Sequence, residues 1–507
     1  MKNIYLLLAI LGVFVASCDM DKYPYSAVKD TEYFKNYNEF TSARIGIYSL
    51  FRSLTTGEYR LATEFQGNAF NAKLGFSNNY GDFYTWDIQT SNGTASDVWA
   101  GYYSEINRCN YYLDKGLAKW DTITVQYSND EKASIKNYAG EAYFARAYCF
   151  YQLAQFFCGA YDASSASNAA TGVPLQITYS PTTSGADYKG RSTLADTYAQ
   201  IKSDLDKAAA LITTAGSVGN NYISVDAITA MRARVALSMK DYTNAATYAV
   251  SLIGGTYTLT AGSTLAAMWQ NDAGTEAIWQ IAMPSANELG SGDGSWFYGN
   301  NKFSELDYIP SKDLISLYSA KDYRLTAYFA TGTLDVSSGA SAKIYAFNKY
   351  CKTGKVYTAV KTEASKYVHE AQAFRVAEMY LIAAEAYAKQ STPDLVNASK
   401  YLNALEAARI NGYTDQIFVT ADALMLELKL ERRRELAGEG FFLFDQKRWG
   451  EGVTRTASQN NDLVYLPTST KTVLLSKLAS DYQMIWPIPK SEMDVNPQLA
   501  GEQNPGY

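Results

Sequence analysis

The chain has 507 residues, 47% hydrophobic and 19% charged, with a formal net charge of −6. That balance is globular, and length alone permits two or three domains. It argues against nucleic acid as a partner, because phosphate binding needs a basic face. Tyrosine is abundant, at 42 residues. Its flat apolar face and polar tip suit wet interfaces and sugar contacts as well as helix packing.

In chain order, a single Lys2 precedes an apolar run from Ile4 to Ala16. The run falls short of the roughly 20 residues that span a bilayer and fits the h-region of a secretory signal. It stops at Val15-Ala16-Ser17-Cys18, which resembles the lipobox of bacterial lipoproteins. The spacing predicts a signal peptide over 1–17, cleavage before Cys18 and acylation of that cysteine. Several acyl chains, at about 0.8 kcal/mol per buried CH₂, hold a protein stably on a membrane. Asp19 and Asp21 follow, like the surface-export signal of some Gram-negative lipoproteins.

Helical periodicity dominates what comes next. In Glu131–Phe157 a stripe of Ile135, Ala139, Ala142, Phe150, Leu153 and Phe157 shares one face. Leu194–Leu211 is predicted as a helix capped by Ser192 or Thr193. Asp226–Met239 and Thr243–Ile253 read as a helical hairpin turning at Asp241-Tyr242, a tetratricopeptide-like unit. Ala371–Lys389, Asp394–Arg409 and Ala421–Ala437 continue the pattern. Each such hairpin buries its apolar face only against a neighbour, so several of them imply a repeat scaffold. Scaffold segments are expected at about 35–55, 97–118, 131–157, 193–214, 224–254 and 371–438 within one unit over 18–507.

Between the helices lie stretches read as irregular: Glu58–Asp97, Ser285–Ser304, Thr331–Ala342 and Arg455–Thr472. Loops this long are uncommon in a compact domain and often functional. Cys149 and Cys158 sit nine apart on one predicted helix, about 13 Å of rise, too far for a disulfide. With Cys109 and Cys351 they are read as buried apolar residues. His369 is the only histidine, so any triad-type site must use it. Neither a zinc motif nor an evident carboxylate pair marks an enzyme, and no cofactor or metal is expected. The Arg432-Arg433-Arg434 run is read as a helix laced by i, i+3 and i, i+4 ion pairs. Glu141 and Arg146 are read as buried polar groups that orient helices.

Several segments together resemble the SusD/RagB family of outer-membrane nutrient-binding lipoproteins. They are Trp99-Ala100-Gly101-Tyr102-Tyr103 through Asn107, Gly140-Glu141-Ala142-Tyr143-Phe144-Ala145-Arg146, and Arg375-Val376-Ala377-Glu378-Met379-Tyr380-Leu381. Glu431-Arg432-Arg433-Arg434-Glu435 through Trp449-Gly450 and the terminal Asn504-Pro505-Gly506-Tyr507 complete the set. The order matches the family from end to end. The resemblance implies a mainly α fold: about four tetratricopeptide-like helix pairs, with insertions at about 58–97 and 255–370 forming the ligand face. It implies a non-enzymatic protein on the cell exterior that passes ligand, usually oligosaccharide and in some members peptide, to a TonB-dependent outer-membrane barrel. A surface glycoside hydrolase is the alternative from another class. Many relatives carry Asp-Glu where this chain has Thr63-Glu64.

Trp86 and Trp296 stand in polar, Gly/Asn-rich stretches, unlike Trp99, Trp269, Trp279, Trp449 and Trp486, whose neighbours read as core. Indole faces stack on the C–H faces of sugars, and amides bind hydroxyls. The expected ligand platform is therefore Trp86 and Trp296, supported by Tyr84 and Tyr298, with Asn68, Asn78, Asn79 and Asn300 as polar contacts. The two stretches are expected side by side.

Overall fold

The computed structural model describes residues 33–119, 127–181, 184–282, 306–350, 370–466 and 472–507. Cys18, Trp120, Trp296, Tyr298, Asn300, Cys351 and His369 lie outside the described residues.

The fold is mainly helical. The first helices are α1 (Tyr37–Ser53), α2 (Glu58–Gln66), the short α3 (Gly81–Thr85), α4 (Gly93–Tyr111) and α5 (Asn129–Phe157). There follow α6 (Leu194–Leu211), α7 (Val225–Ser238), α8 (Tyr242–Ser251) and α9 (Leu265–Asn271). The C-terminal part holds α10 (Val376–Lys389), α11 (Leu395–Arg409), α12 (Ala421–Glu435) and α13 (Phe442–Trp449). Starts are written in the sequence. Asn36 with Glu39, and Ser128 with Glu131, form capping boxes that satisfy end N–H groups of α1 and α5. Thr193, Ser224, Asp241, Asp394 and Thr420 cap α6, α7, α8, α11 and α12.

The scaffold runs by neighbours: α4 on α5, α5 on α6, α7 on α8, α8 on α10, α10 on α11, and α12 against both. One continuous core joins these helices, from Phe40 and Trp99 through Phe150 and Trp279 to Leu428 and Trp486. Small residues set the spacing. A Cβ on Gly140 would fall 2.6 Å from Ile212 Cγ1, so α5 and α6 meet as closely as they do only because position 140 has none. Buried polar pairs fix the angles. Arg146 grips Asp204 of α6 at 2.8 and 2.7 Å, and Glu141 holds Arg44 of α1 at 2.6 and 2.7 Å. Cys109, Cys149 and Cys158 are free and buried.

Among the described residues, four two-stranded antiparallel sheets decorate the scaffold: β1 (Phe70–Ala72) with β3 (Tyr308–Pro310), β2 (Ala277–Ile281) with β6 (Ala371–Arg375), β4 (Phe329–Asp335) with β5 (Ser341–Phe347), and β7 (Val453–Arg455) with β8 (Leu475–Lys477). Three expectations are corrected here. The stretch 331–342 is not irregular but the heart of the β4–β5 hairpin, turning over Val336–Ala340. Helix α10 does not begin at Ala371: the first five residues pair with β2, and the helix starts at Val376. The stretch 58–97 is mostly ordered secondary structure, because Leu61, Phe65, Phe83 and Ile88 all find core partners.

The arginine run is laced within its own helix only in part. Only Arg434 with Glu431 pairs within α12 in the expected way, at 2.7 Å. Arg432 reaches Asp445 of α13, Arg433 donates to Asn68, and Arg434 also holds Glu406 of α11. Next to them Glu435, fully buried, accepts from Arg324, Arg375 and Arg409 at 2.5 to 3.0 Å. Three guanidinium groups hold its carboxyl well below the usual range. Arg409 and Arg375 continue to Glu276, which precedes β2. This network ties α11 and α12 to the sheets beside them in an environment where an unpaired charge would be costly.

Candidate functional site

Of the two stretches expected to carry the ligand platform, 58–97 is described and 285–304 lies outside the described residues, so the surface between β1 and α4 is taken first. After β1 the backbone turns through Ser77, Asn78 and Asn79 into α3 and leaves it at Trp86. Asn78, Tyr80 and Trp86 all adopt left-handed φ, at 59°, 57° and 57°. Such a conformation costs about 1–2 kcal/mol at a residue with a side chain and persists where the surroundings over-determine it.

Those surroundings are explicit. Asn79 Nδ2 donates to Asp307 Oδ2 at 2.8 Å, the Ser77 N–H donates to Asp307 Oδ1 at 3.2 Å, and the Tyr308 hydroxyl donates to the Asn79 carbonyl at 2.6 Å. Burial pushes the Tyr308 phenol well above its usual range, so it remains a donor. Tyr308 stacks on Phe65, centroids 3.6 Å apart. Gly81 has no Cβ because the Asn78 amide lies over it: a Cβ would be 2.1 Å from Oδ1. At the far end, Asn92 donates to Asp82 at 2.8 Å while also capping α4.

The sequence-predicted residues divide. Asn78 is exposed and Asn79 half-buried. Trp86 and Tyr84 are not an exposed platform, at 4% and 1% accessibility. Trp86 faces inward: Nε1 donates to the Gln66 carbonyl at 2.9 Å, and its ring packs with Phe442, Leu443, Val453 and Met484. Tyr84 joins the core of Phe65, Phe70 and Tyr308, with the Arg455 guanidinium 4.0 Å above its ring. Asn68 is buried too, donating to the Thr454 carbonyl at 2.7 Å and accepting from Arg433 at 2.9 Å. All three are corrected from ligand contacts to parts of the foundation. The physical reason is shared: residues 442–455 and 475–486 fold back under the loop and, with Arg433, supply the apolar and polar partners that local sequence lacks.

What the loop presents outward is polar: Asn78, Asp82, Thr85, Asp87 and Gln89 are exposed, while Phe83, Trp86 and Ile88 point in. Gln89 Nε2 donates to Asp87 Oδ1 at 2.7 Å, so part of this row is ordered by itself. Asp87, Gln89 and the anchoring Asp307 were missed from sequence. The alternation Trp86-Asp87-Ile88-Gln89 was the available signal, since it puts the polar members on one side. Chemically the row offers amide donors and acceptors together with carboxylate acceptors, on a backbone fixed beneath. Such a surface suits a ligand rich in hydroxyl groups.

A family model described as the SusD family matches residues 295–507. A second, SusD-like model, described as starch-binding associating with outer membrane, matches residues 21–237, which include this loop. Among solved structures the chain is similar to a SusD superfamily protein from Bacteroides thetaiotaomicron, with 24% identity, 93% of this chain and 100% of that one covered, and a TM-score of 0.76. It is also similar to a SusD-like carbohydrate binding protein from Bacteroides vulgatus, with 21% identity, 92% and 98% covered, and a TM-score of 0.72. These likenesses establish the fold. No curated protein matches the chain.

Proposed function

The chain belongs to the SusD family, and from that premise we propose that it is a lipid-anchored protein of the outer-membrane surface that binds oligosaccharide and delivers it to a TonB-dependent barrel. The observation that carries the binding part is the loop between β1 and α4. It holds an outward polar row, Asn78, Asp82, Asp87 and Gln89, on a backbone locked by Asp307 and by the buried Trp86. Preorganised polar groups lose little freedom on binding, so more of each hydrogen bond appears as affinity. The match to a model described as starch-binding spans the same residues. The anchor part rests on Cys18 at the end of a short apolar run. No described helix is long and apolar enough to cross a membrane.

The test is calorimetric titration of the protein with maltoheptaose and a panel of other neutral oligosaccharides. Asn78→Gly keeps the left-handed backbone and deletes the amide. It should fold normally and weaken binding of the recognised glycan about tenfold, as loss of a 1–1.5 kcal/mol hydrogen bond implies. Unchanged affinity in Asn78→Gly and Asp82→Ala together would remove the loop from the site. For the anchor, Cys18→Ser should release the protein from the membrane fraction. For the barrel, extraction in mild detergent should co-purify a large β-barrel protein, and recovery of the protein alone in several detergents counts against delivery.

A further inference from the structure

The chain enters α1 at a surface rich in tyrosine and lysine. Tyr33 and Lys35 come just before the helix. Phe34 between them is fully buried against Phe40 and Tyr112, which fixes the point of entry. The Tyr33 ring lies 6.0 Å from Tyr111 at the end of α4, and Tyr111 lies 4.8 Å from Tyr179. The Lys115 ammonium sits 5.7 Å from the Tyr179 ring, and the Tyr127 hydroxyl donates to the Lys35 carbonyl at 3.3 Å. These four tyrosines are half-buried, whereas Lys35 is exposed, as is Ile177, two residues from Tyr179, at 42%.

The carboxylates of this end are turned to backbone donors. Glu39 accepts from the Lys35 N–H, Asp114 from the Tyr179 N–H at 2.6 Å, and Glu131 from the Ser128 N–H at 2.8 Å. Tyrosine has an apolar ring and a wet tip, and with lysine beside it suits the headgroup level of a bilayer. A lysine close to an anionic leaflet is drawn to it.

Chain length says which side can meet the lipid. Residues 19–32 separate Cys18 from Tyr33. At about 3.5 Å per extended residue they reach no further than about 50 Å. A folded chain of this length has a radius of gyration of about 23 Å and is about 60 Å across. With the acyl chains of Cys18 in the bilayer, the side of the molecule opposite Tyr33 is therefore out of reach of it. We propose that the surface around Tyr33, Tyr111 and Tyr179, with Lys35, Lys115 and Ile177, rests on the anionic headgroups of the membrane that holds the anchor. This deepens the reading of the anchor given above and rests on it. Two lysines and a few rings make a reversible contact, so the surface orients an anchored protein and does not replace the anchor.

Vesicle flotation of the full mature chain carrying Cys18→Ser, which cannot be acylated, tests the surface by itself. The protein should float with vesicles of two parts phosphatidylcholine to one part phosphatidylglycerol, and less with phosphatidylcholine alone. Lys35→Ala with Lys115→Ala should lower the partition coefficient about 25-fold, about fivefold for each lysine. Ile177→Asp changes an exposed side chain, leaves the core intact and should weaken binding as well. Lys400→Ala, on α11 several helices away along the scaffold, should leave it unchanged. No flotation with the mixed vesicles overturns the proposal, as does flotation that survives both the lysine pair and Ile177→Asp. An equal loss in Lys400→Ala makes the attraction general to the protein surface and overturns it too. The anchor is read separately, from acylation of Cys18 by mass spectrometry of the mature protein, so either can fail while the other stands.

Discussion

Glu64 offers a stability measurement whose sign and size follow from its surroundings. It lies on α2 at 1% accessibility. Its Oε1 accepts the Gly440 N–H at 2.7 Å. Gly438 and Gly440 have φ of 75° and 82°, a left-handed turn that aims the backbone amide at the carboxyl and that residues with a Cβ adopt poorly. Burial outweighs these bonds and the nearby Lys349 and Arg60 charges, and pushes the Glu64 pKa from 4.5 up to about 7. Between those values the folded protein keeps a proton that the unfolded chain has released. The stability Glu64 contributes is therefore full below about pH 4.5 and is lost as pH rises through about 7. At about 1.4 kcal/mol per pH unit the full loss comes to about 3.5 kcal/mol, of which the part between pH 5 and 8 is about 2–3 kcal/mol. Burial pulls the Lys349 pKa down to about 8, so its opposing drift begins only above that pH. Glu58 also rises to about 7 through burial and the Asp97 charge, so the parent curve sums several groups and a difference is needed. Glu64→Gln keeps the acceptor for Gly440 and cannot ionise. Urea unfolding of parent and variant at pH 5, 6, 7 and 8 should show the variant gaining on the parent by about 2–3 kcal/mol across the series. A difference that stays flat within about 0.5 kcal/mol would refute the assignment of a proton to buried Glu64.

Glu435→Gln strips the shared charge from Arg324, Arg375 and Arg409 and should destabilise by about 3–5 kcal/mol in urea unfolding, as removal of one partner from a buried network does; a loss under 1 kcal/mol would show the arginines to be compensated elsewhere. Gly101→Ala puts a Cβ 2.0 Å from the Tyr59 hydroxyl and should cost about 1–3 kcal/mol by the same assay. Trp86→Ala empties a buried site among Phe442, Leu443, Val453 and Met484, so its main effect should be about 3–5 kcal/mol of stability. A variant of normal stability that loses only glycan binding would restore Trp86 to the ligand platform.

The scaffold was readable because helices announce themselves locally. An apolar stripe, a capping Ser, Thr, Asn or Asp and a Glu three residues on lie within one stretch of chain, as at Ser128–Glu131 before α5. The short strands were not readable. Ala371–Arg375 is built of residues that suit a helix, and it becomes β6 only because β2 arrives from residues 277–281. Propensity is a weak prior against such a tertiary partner. The site failed in the same way. Trp86 looked available because its neighbours in sequence are Asp, Thr and Gly, whereas its actual neighbours come from α13, β7 and the segment before the C-terminus. Asn68, Asn78 and Asn79 look alike in sequence, yet one is buried under Arg433, one is exposed, and one is tied to Asp307. Burial is a property of what folds over a residue, and no local pattern separates these three.

The same long-range contacts explain why a loop with three left-handed side-chain residues can be a fixed surface. The C-terminal segment clamps it from below. Arg455 donates to the carbonyls of Gly67 and Tyr84, at 2.9 and 3.2 Å, and so bridges the start and end of the loop. Gln66 donates to the Gln483 carbonyl at 2.8 Å and accepts from Trp486 Nε1 at 2.9 Å, while Phe83 packs on the same indole, centroids 4.5 Å apart. Trp486 in turn lies among Phe156 and Phe157 at the end of α5. A continuous path of packed and hydrogen-bonded groups thus runs from the longest scaffold helix through the C-terminal segment to the underside of the loop. The strain of about 1–2 kcal/mol per left-handed residue is borne by contacts that are buried and do not depend on ligand. On the reading proposed above, the backbone beneath the polar row therefore needs no ordering when a saccharide arrives, and substitutions at the exposed positions 78, 82, 87 and 89 should change what is bound without disturbing the aromatic base.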